Sequence, residues 1–258
     1  MNRCIKRETA IYHSALKPLF KSGLFTSLAD LVYPRYCAGC GIAVSGEPSH
    51  LCWDCRATIE IIQEPFCTVC GDPAEGMVEH KYTCSLCRRD RRYFDRARSA
   101  VRFRGVVKDI MHEFKYNKAT YLARDLIPFL RACIETHYSD VDFDAVAFVP
   151  LYPKKERDRT YNQAHLLAIG AAKYAGLPLL RSVLHRARDT KTQTDLSTRE
   201  RKKNVHSAFE AYDKRWIEGR RFLLVDDVMT TGATVNEVSR VLKKAGAAGV
   251  YVATVARG

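Results

Sequence analysis

Long apolar runs are missing from this sequence. No stretch approaches the roughly 18 consecutive apolar residues of a membrane-spanning helix, so no transmembrane span is expected. A secretory leader is not visible either, which argues against an oxidising compartment and against a disulfide framework for the ten cysteines. Acidic side chains are in deficit, with 29 Asp and Glu against 42 Lys and Arg and a formal net charge of +13. Aliphatic residues are too few between positions 34 and 92 for that stretch to fold on an apolar core alone.

What that stretch has is cysteine. Eight of the ten cysteines form four Cys-x-x-Cys pairs: Cys37/Cys40, Cys52/Cys55, Cys67/Cys70 and Cys84/Cys87. The spacing brings two thiolates to one metal ion, and two pairs complete a tetrahedral site that leaves no open position for catalysis. Pro34 to Gly41 matches Pro65 to Gly71 in kind, and each is followed by a plainer pair, so two units of about 30 residues repeat. Two structural zinc ions are expected. Sequential ligation puts Cys37, Cys40, Cys52 and Cys55 on one ion and Cys67, Cys70, Cys84 and Cys87 on the other; a cross-braced arrangement alternating the pairs stays open. His50 and His80 lie near the pairs as substitute ligands, while Cys4 and Cys133 are isolated thiols.

The excess of positive charge lies elsewhere. Residues 1–95 carry 12 basic and 11 acidic side chains; residues 96–258 carry 30 and 18. Between 154 and 203 alone there are 13 basic groups against 5 acidic ones, a patch suited to pyrophosphate or nucleic acid.

The segment richest in chemistry is Phe222 to Thr234. Phe222, Leu223, Leu224 and Val225 predict a strand buried on both faces, ending abruptly in Asp226 and Asp227. Thr230, Thr231, Gly232, Ala233 and Thr234 then lead into a helix with apolar Val235, Val238, Val241, Leu242 and Ala245. Loop N–H groups, hydroxyls and the helix dipole would hold a phosphate monoester, with Gly232 allowing close approach of the backbone. The carboxylates stand where hydrogen bonds to ribose hydroxyls are available. No lysine follows the glycine, so a Walker A loop is excluded. The segment resembles the phosphoribosyl-pyrophosphate signature of type I phosphoribosyltransferases. That resemblance implies ribose hydroxyls on Asp226 and Asp227 and a 5′-phosphate on the Thr/Gly loop, with Lys154 on the pyrophosphate and Mg²⁺ bridging its oxygens to the sugar.

Elsewhere the pattern alternates. A linker runs into an edge strand over 93–104, and helices are expected over 106–114, 121–137 and 163–175. Strands are expected over 144–149, 179–184 and 249–255. Residues 186–208, polar and weakly periodic, read as a long mobile loop that could close over the site with Arg188, Lys191, Arg199 or Arg201. Residues 1–33 form an amphipathic segment, and three parts follow: 1–33, the cysteine module 34–92 and an α/β domain 93–258.

Lys154 and Lys155 after Pro150, the run Arg159-Thr160-Tyr161-Asn162-Gln163, and the polar loop fall between the cysteine pairs and the acidic pair. This order resembles the ComF family over nearly the whole chain, about 33 to 257. The resemblance implies a type I phosphoribosyltransferase-like parallel sheet flanked by helices, preceded by a small double zinc ribbon. It also implies a cytoplasmic protein, at the inner face of the membrane, that handles incoming single-stranded DNA in natural transformation, with the ribbons docking DNA-uptake machinery. Residues placed on the nucleic acid or its loop are Lys115, Tyr116, Arg159, Tyr161, Asn162, Gln163, Arg188, Arg199, Arg201, Lys202 and Lys203. The alternative is an active phosphoribosyltransferase acting on a nucleobase or amine, although no acceptor pocket is recognisable. One departure stands out: Thr160 occupies the place of a family glycine, altering backbone freedom beside the pyrophosphate loop.

Overall fold

A computed structural model describes residues 35–44, 49–74, 76, 81–189 and 205–258. The expected 1–33 segment, Cys4, His80, Lys191, Arg199, Arg201, Lys202 and Lys203 lie outside the described residues.

The four long strands are β3 (Arg96–Arg102), β4 (Ala145–Phe148), β7 (Arg221–Met229) and β8 (Gly249–Arg257), and they form one parallel sheet in the order β3-β8-β7-β4. The central strands are buried on both faces because their apolar residues run on without alternation. Leu223 and Val225 enter the core on one face; Phe222 and Leu224 enter the other. The first face is covered by α3 (Val106–Tyr116), α4 (Ala123–His137) and α6 (Gln163–Ala175), and the second by α7 (Ala233–Lys244). A short hairpin, β5 (Leu184–Arg186) with β6 (Phe209–Ala211), packs on the second face. Residue 186 therefore belongs to a strand, and the two flanks of the expected long loop pair with each other. Leu179 makes only a single bridge, to Val146, and the strand expected there forms five residues later.

β7 also differs from expectation: it does not stop at Val225. β8 keeps pace beside it, pairing Asp226 with Thr254, Val228 with Ala256 and Met229 with Arg257. β4 ends at Phe148, opposite Val225. Past that point β7 has one paired edge and one edge opening into a crevice, and the acidic pair sits there.

The cysteine units build β1 (Arg35–Tyr36), β2 (Ala43–Val44), α1 (Trp53–Ala57) and α2 (Ser85–Arg89). The first unit joins the α3/α4 face, where a Cβ on Gly39 would meet Val106 at 2.2 Å, so only glycine allows this approach. A buried polar cluster adds to the dock: Ser49 donates to Asp125 on α4 at 2.7 Å, and His50 approaches the same carboxylate at 3.4 Å. The second unit joins the other face through Cys67, Cys70 and Phe94. Between them, residues 60–62 cover the free edge of β3: Ile62 N donates to Ala100 O and Arg102 N to Glu60 O, each at 2.9 Å. An edge strand otherwise open to intermolecular pairing is thus closed.

Candidate functional site

In each cysteine unit the first pair forms a tight knuckle. Gly41 N returns to Cys37 O at 2.8 Å, and Gly71 N to Cys67 O at 2.9 Å. The second pair opens a one-turn helix, with Cys52 before α1 and Cys84 before α2. The thiols of Cys37, Cys40, Cys52 and Cys55 lie within 4.8 Å of one another, as do those of Cys67, Cys70, Cys84 and Cys87. The thiols are therefore grouped sequentially and not cross-braced. The Sγ–Sγ separations of 3.6 Å for Cys40–Cys52 and Cys70–Cys84 fit the ~3.8 Å edge of a tetrahedron with Zn–S bonds of about 2.3 Å. Backbone N–H groups of Cys52 and Cys84 point at Cys37 Sγ and Cys67 Sγ, each at 3.3 Å, as anionic sulfur requires. Both clusters suit structural zinc. His50 turns to Asp125 and the Tyr121 ring instead of a metal, and Cys133 is buried apart on α4.

At the crevice, Asp227 is buried and Asp226 half-buried. Asp227 N donates to Asp226 Oδ1 at 2.9 Å, and Val228 N to Asp227 Oδ1 at 2.6 Å. Lys115, from the last turn of α3, places Nζ 3.1 Å from Asp227 Oδ2. Burial first, then repulsion from Asp227, pushes the Asp226 carboxyl up to about 8, against the Asp227 N–H, Lys115 and Arg186. The raised Asp226 carboxyl thus limits charge repulsion within the pair.

Beyond Met229, Thr231 Oγ1 accepts from Ala233 N at 3.3 Å, and Gly232 caps α7 at φ 74°, the left-handed region that glycine occupies without strain. With glycine as the cap, no cap side chain stands between the positive end of the α7 dipole and an approaching anion.

Several expected residues take other places. Lys154 is exposed on α5 (Pro153–Arg159), whereas Lys155 is half-buried, 3.7 Å from Asp189, and its pKa is lowered by burial and then by Arg186. Asn162 and Gln163 are each 2% exposed, which withdraws them from any surface offered to nucleic acid. Asn162 caps α6, accepting from His165 N at 3.3 Å and donating to Val149 O at 3.1 Å. Gln163 donates to Phe114 O and Lys115 O at 3.2 and 3.3 Å, and the Tyr161 hydroxyl also donates to Phe114 O. Arg159 lies 4.9 Å from the Tyr116 ring. This run therefore fastens the end of α3, and so aims Lys115. Arg188 is exposed and donates to His206 O.

Arg186 went unmarked in the sequence, hidden in a run of basic residues. It is 9% exposed, 5.2 Å from the Phe209 ring and within electrostatic reach of Asp226 and Asp189. Its signal was alternation, with buried Leu184 and Arg186 flanking half-buried His185.

A phosphoribosyltransferase-type α/β domain joined to two four-cysteine ribbons is the class these features define. Residues 28–89 match the family model for a double zinc ribbon domain, and residues 155–258 that for a phosphoribosyl transferase domain. Competence protein F of Haemophilus influenzae is 31% identical over 80% of this chain and 90% of its own length. DNA utilization protein YhgH of Salmonella typhi is 28% identical over 78% and 94%, and competence protein ComFC of Bacillus subtilis 28% over 80% and 84%. The chain belongs to the ComF family of competence proteins.

Proposed function

We propose that this protein binds phosphoribosyl pyrophosphate with Mg²⁺, binds single-stranded DNA, and takes part in DNA uptake during natural transformation. The observation that carries the phosphosugar reading is the acidic pair where β4 has ended, followed directly by the Gly232-capped start of α7. Asp226 and Asp227 would take the ribose hydroxyls, with Mg²⁺ bridging them to pyrophosphate, and residues 230–234 the 5′-phosphate. The single-stranded DNA reading rests on the basic excess of residues 96–258 and on exposed Tyr116 beside Arg159. The competence role follows the names of the relatives, and a cytoplasmic position at the inner face of the membrane follows that role. Among the described residues no helix is long and apolar enough to cross a membrane. Trp53, 80% exposed on α1, and Ile42, 56% exposed beside β2, support docking of an uptake protein on the first ribbon.

A second reading, turnover, is favoured by one observation. Lys115, 3.1 Å from Asp227, and Arg186, within electrostatic reach of Asp226, bring two cations to the acidic pair from two elements, a set fit to stabilise departing pyrophosphate. Isothermal titration with Mg²⁺ and phosphoribosyl pyrophosphate tests the binding. Wild type gives saturable heat and the Asp226→Ala/Asp227→Ala variant none; identical traces from both would end the proposal. Acceptor-dependent release of pyrophosphate would establish turnover.

A further inference from the structure

A four-cysteine zinc site is not electrically neutral: four thiolates around Zn²⁺ carry a net charge of −2. A buried charge of that size requires cations beside it. At the second ribbon the structure supplies two, and both also hold the Thr/Gly loop. Arg257, 4% exposed at the end of β8, sends Nη2 to Asp72 at 2.9 Å, with Cys70 Sγ 4.0 Å away. Its Nη1 donates to Met229 O at 2.9 Å, the carbonyl where the loop begins. Arg92, on the segment leaving the ribbon, reaches the Cys87 thiol and donates from Nη1 to Thr231 O at 3.3 Å. The same segment clamps the helix that follows: Tyr93 N donates to Asn236 Oδ1 at 2.7 Å, and Asn236 Nδ2 to Arg91 O at 3.2 Å. The first ribbon has no such tie to the loop among the described residues; its buried polar contacts go to Asp125 on α4.

We infer that Arg92 and Arg257 are positioning residues of the phosphosugar site, and that through them the second ribbon fixes the loop from Met229 to Thr231. The inference rests on the phosphosugar reading for its consequence, but not for the coupling itself. Two guanidiniums held by the sulfur cluster and Asp72 pin two carbonyls of the loop. With those carbonyls held, the intervening peptide planes are set, and with them the N–H directions at the start of α7. Loss of the second metal or of Asp72 releases the loop while leaving Asp226, Asp227 and Lys115 in place.

The test uses the full zinc-loaded chain with Asp72→Asn, Asp72→Glu and Arg92→Gln. Two readouts are taken: zinc per chain with affinity for Mg²⁺ and phosphoribosyl pyrophosphate, and amide hydrogen exchange over 229–234 without ligand. With both zinc ions retained, Asp72→Asn and Arg92→Gln speed exchange in that segment and weaken binding about five-fold or more, and Asp72→Glu recovers most of the loss. Unchanged exchange in both neutral variants overturns the coupling. Faster exchange with a measurable but unaltered affinity overturns its bearing on the site. If wild type itself gives no binding heat, the phosphosugar reading fails, and the exchange data still decide the coupling.

Discussion

Thr160 closes α5 at φ 71° and ψ −8°, a left-handed conformation that costs a β-branched residue about 1–2 kcal/mol. The position is held from both sides: Thr160 N returns to Arg157 O at 3.2 Å, and the next three residues are tied to Phe114, Val149 and Lys115. The family resemblance implies glycine in this place, and glycine adopts the left-handed conformation without that strain. Thr160→Gly is therefore expected to raise stability by about 1 kcal/mol, read as a higher Tm, with part of the gain offset by the freer unfolded chain. A lower Tm would mean that the threonine side chain contributes more than its strain costs. At Asp226 the sign runs the other way from an ordinary salt-bridged carboxylate. Its folded pKa, about 8, stands above the ordinary value of 3.8, so the fold favours the protonated form. The stability this contributes is complete below the unfolded value and lost as pH climbs through the folded one. Asp226→Asn keeps the neutral form at every pH, so its thermal stability relative to wild type should improve from pH ~5 to pH ~9. Ligand binding needs the anion. Wild-type affinity for Mg²⁺ and phosphoribosyl pyrophosphate should therefore rise toward pH ~8, and the rise should vanish in the asparagine variant.

At the scale of elements, the ribbons act as covers as well as metal sites. Neither has an apolar core of its own, and between them residues 60–62 pair along β3. Stripping both metals with a chelator should melt residues 35–90 and uncover that edge, so that the apo protein self-associates while the sheet keeps its strand content. Light scattering with circular dichroism checks this; a monodisperse apo protein would show that the edge stays covered without metal. The cysteine units were legible because ligand spacing and repeat are local: Cys37 N to Ile42 O and Cys67 N to Asp72 O, both 2.8 Å, are the same knuckle twice. Helix α6 was legible at both ends, from Asn162 before it and Gly176 after it. The extent of β7 was not, because two acids end a hydrophobic pattern but do not end a ladder. Continuation past Val225 depends on β8 running alongside, a fact of pairing between residues 28 apart. The roles of Lys115 and Arg186 were hidden for a related reason. In a chain with 42 basic residues, only the fold distinguishes the few turned inward from the many that face water.

Across the whole molecule, the formal charge of +13 misstates what an approaching polyanion meets. It counts the cysteines as neutral, and two zinc-tetrathiolate sites lower it by 4, all of it among residues 37–87. Residues 1–95, formally +1 by composition, then become net acidic, while residues 96–258 keep their excess of 12. Part of that excess is internal: Arg98, Arg186 and Arg257 are buried and bound to carbonyls, aromatic faces or acids. The metal-loaded protein thus combines acidic ribbons with a basic α/β domain whose outer cations number fewer than the sequence suggests. A single strand should follow the α/β domain and avoid the ribbons. If about four phosphates are neutralised, the slope of log K against log salt should be near −3, and photocrosslinks should fall in residues 96–258. Saturating phosphoribosyl pyrophosphate should leave that slope unchanged if the DNA track avoids the crevice, and flatten it if Lys115 and Arg186 serve both ligands. A flat salt response in the absence of the phosphosugar would reject phosphate tracking altogether, and with it the DNA-handling half of the proposed function.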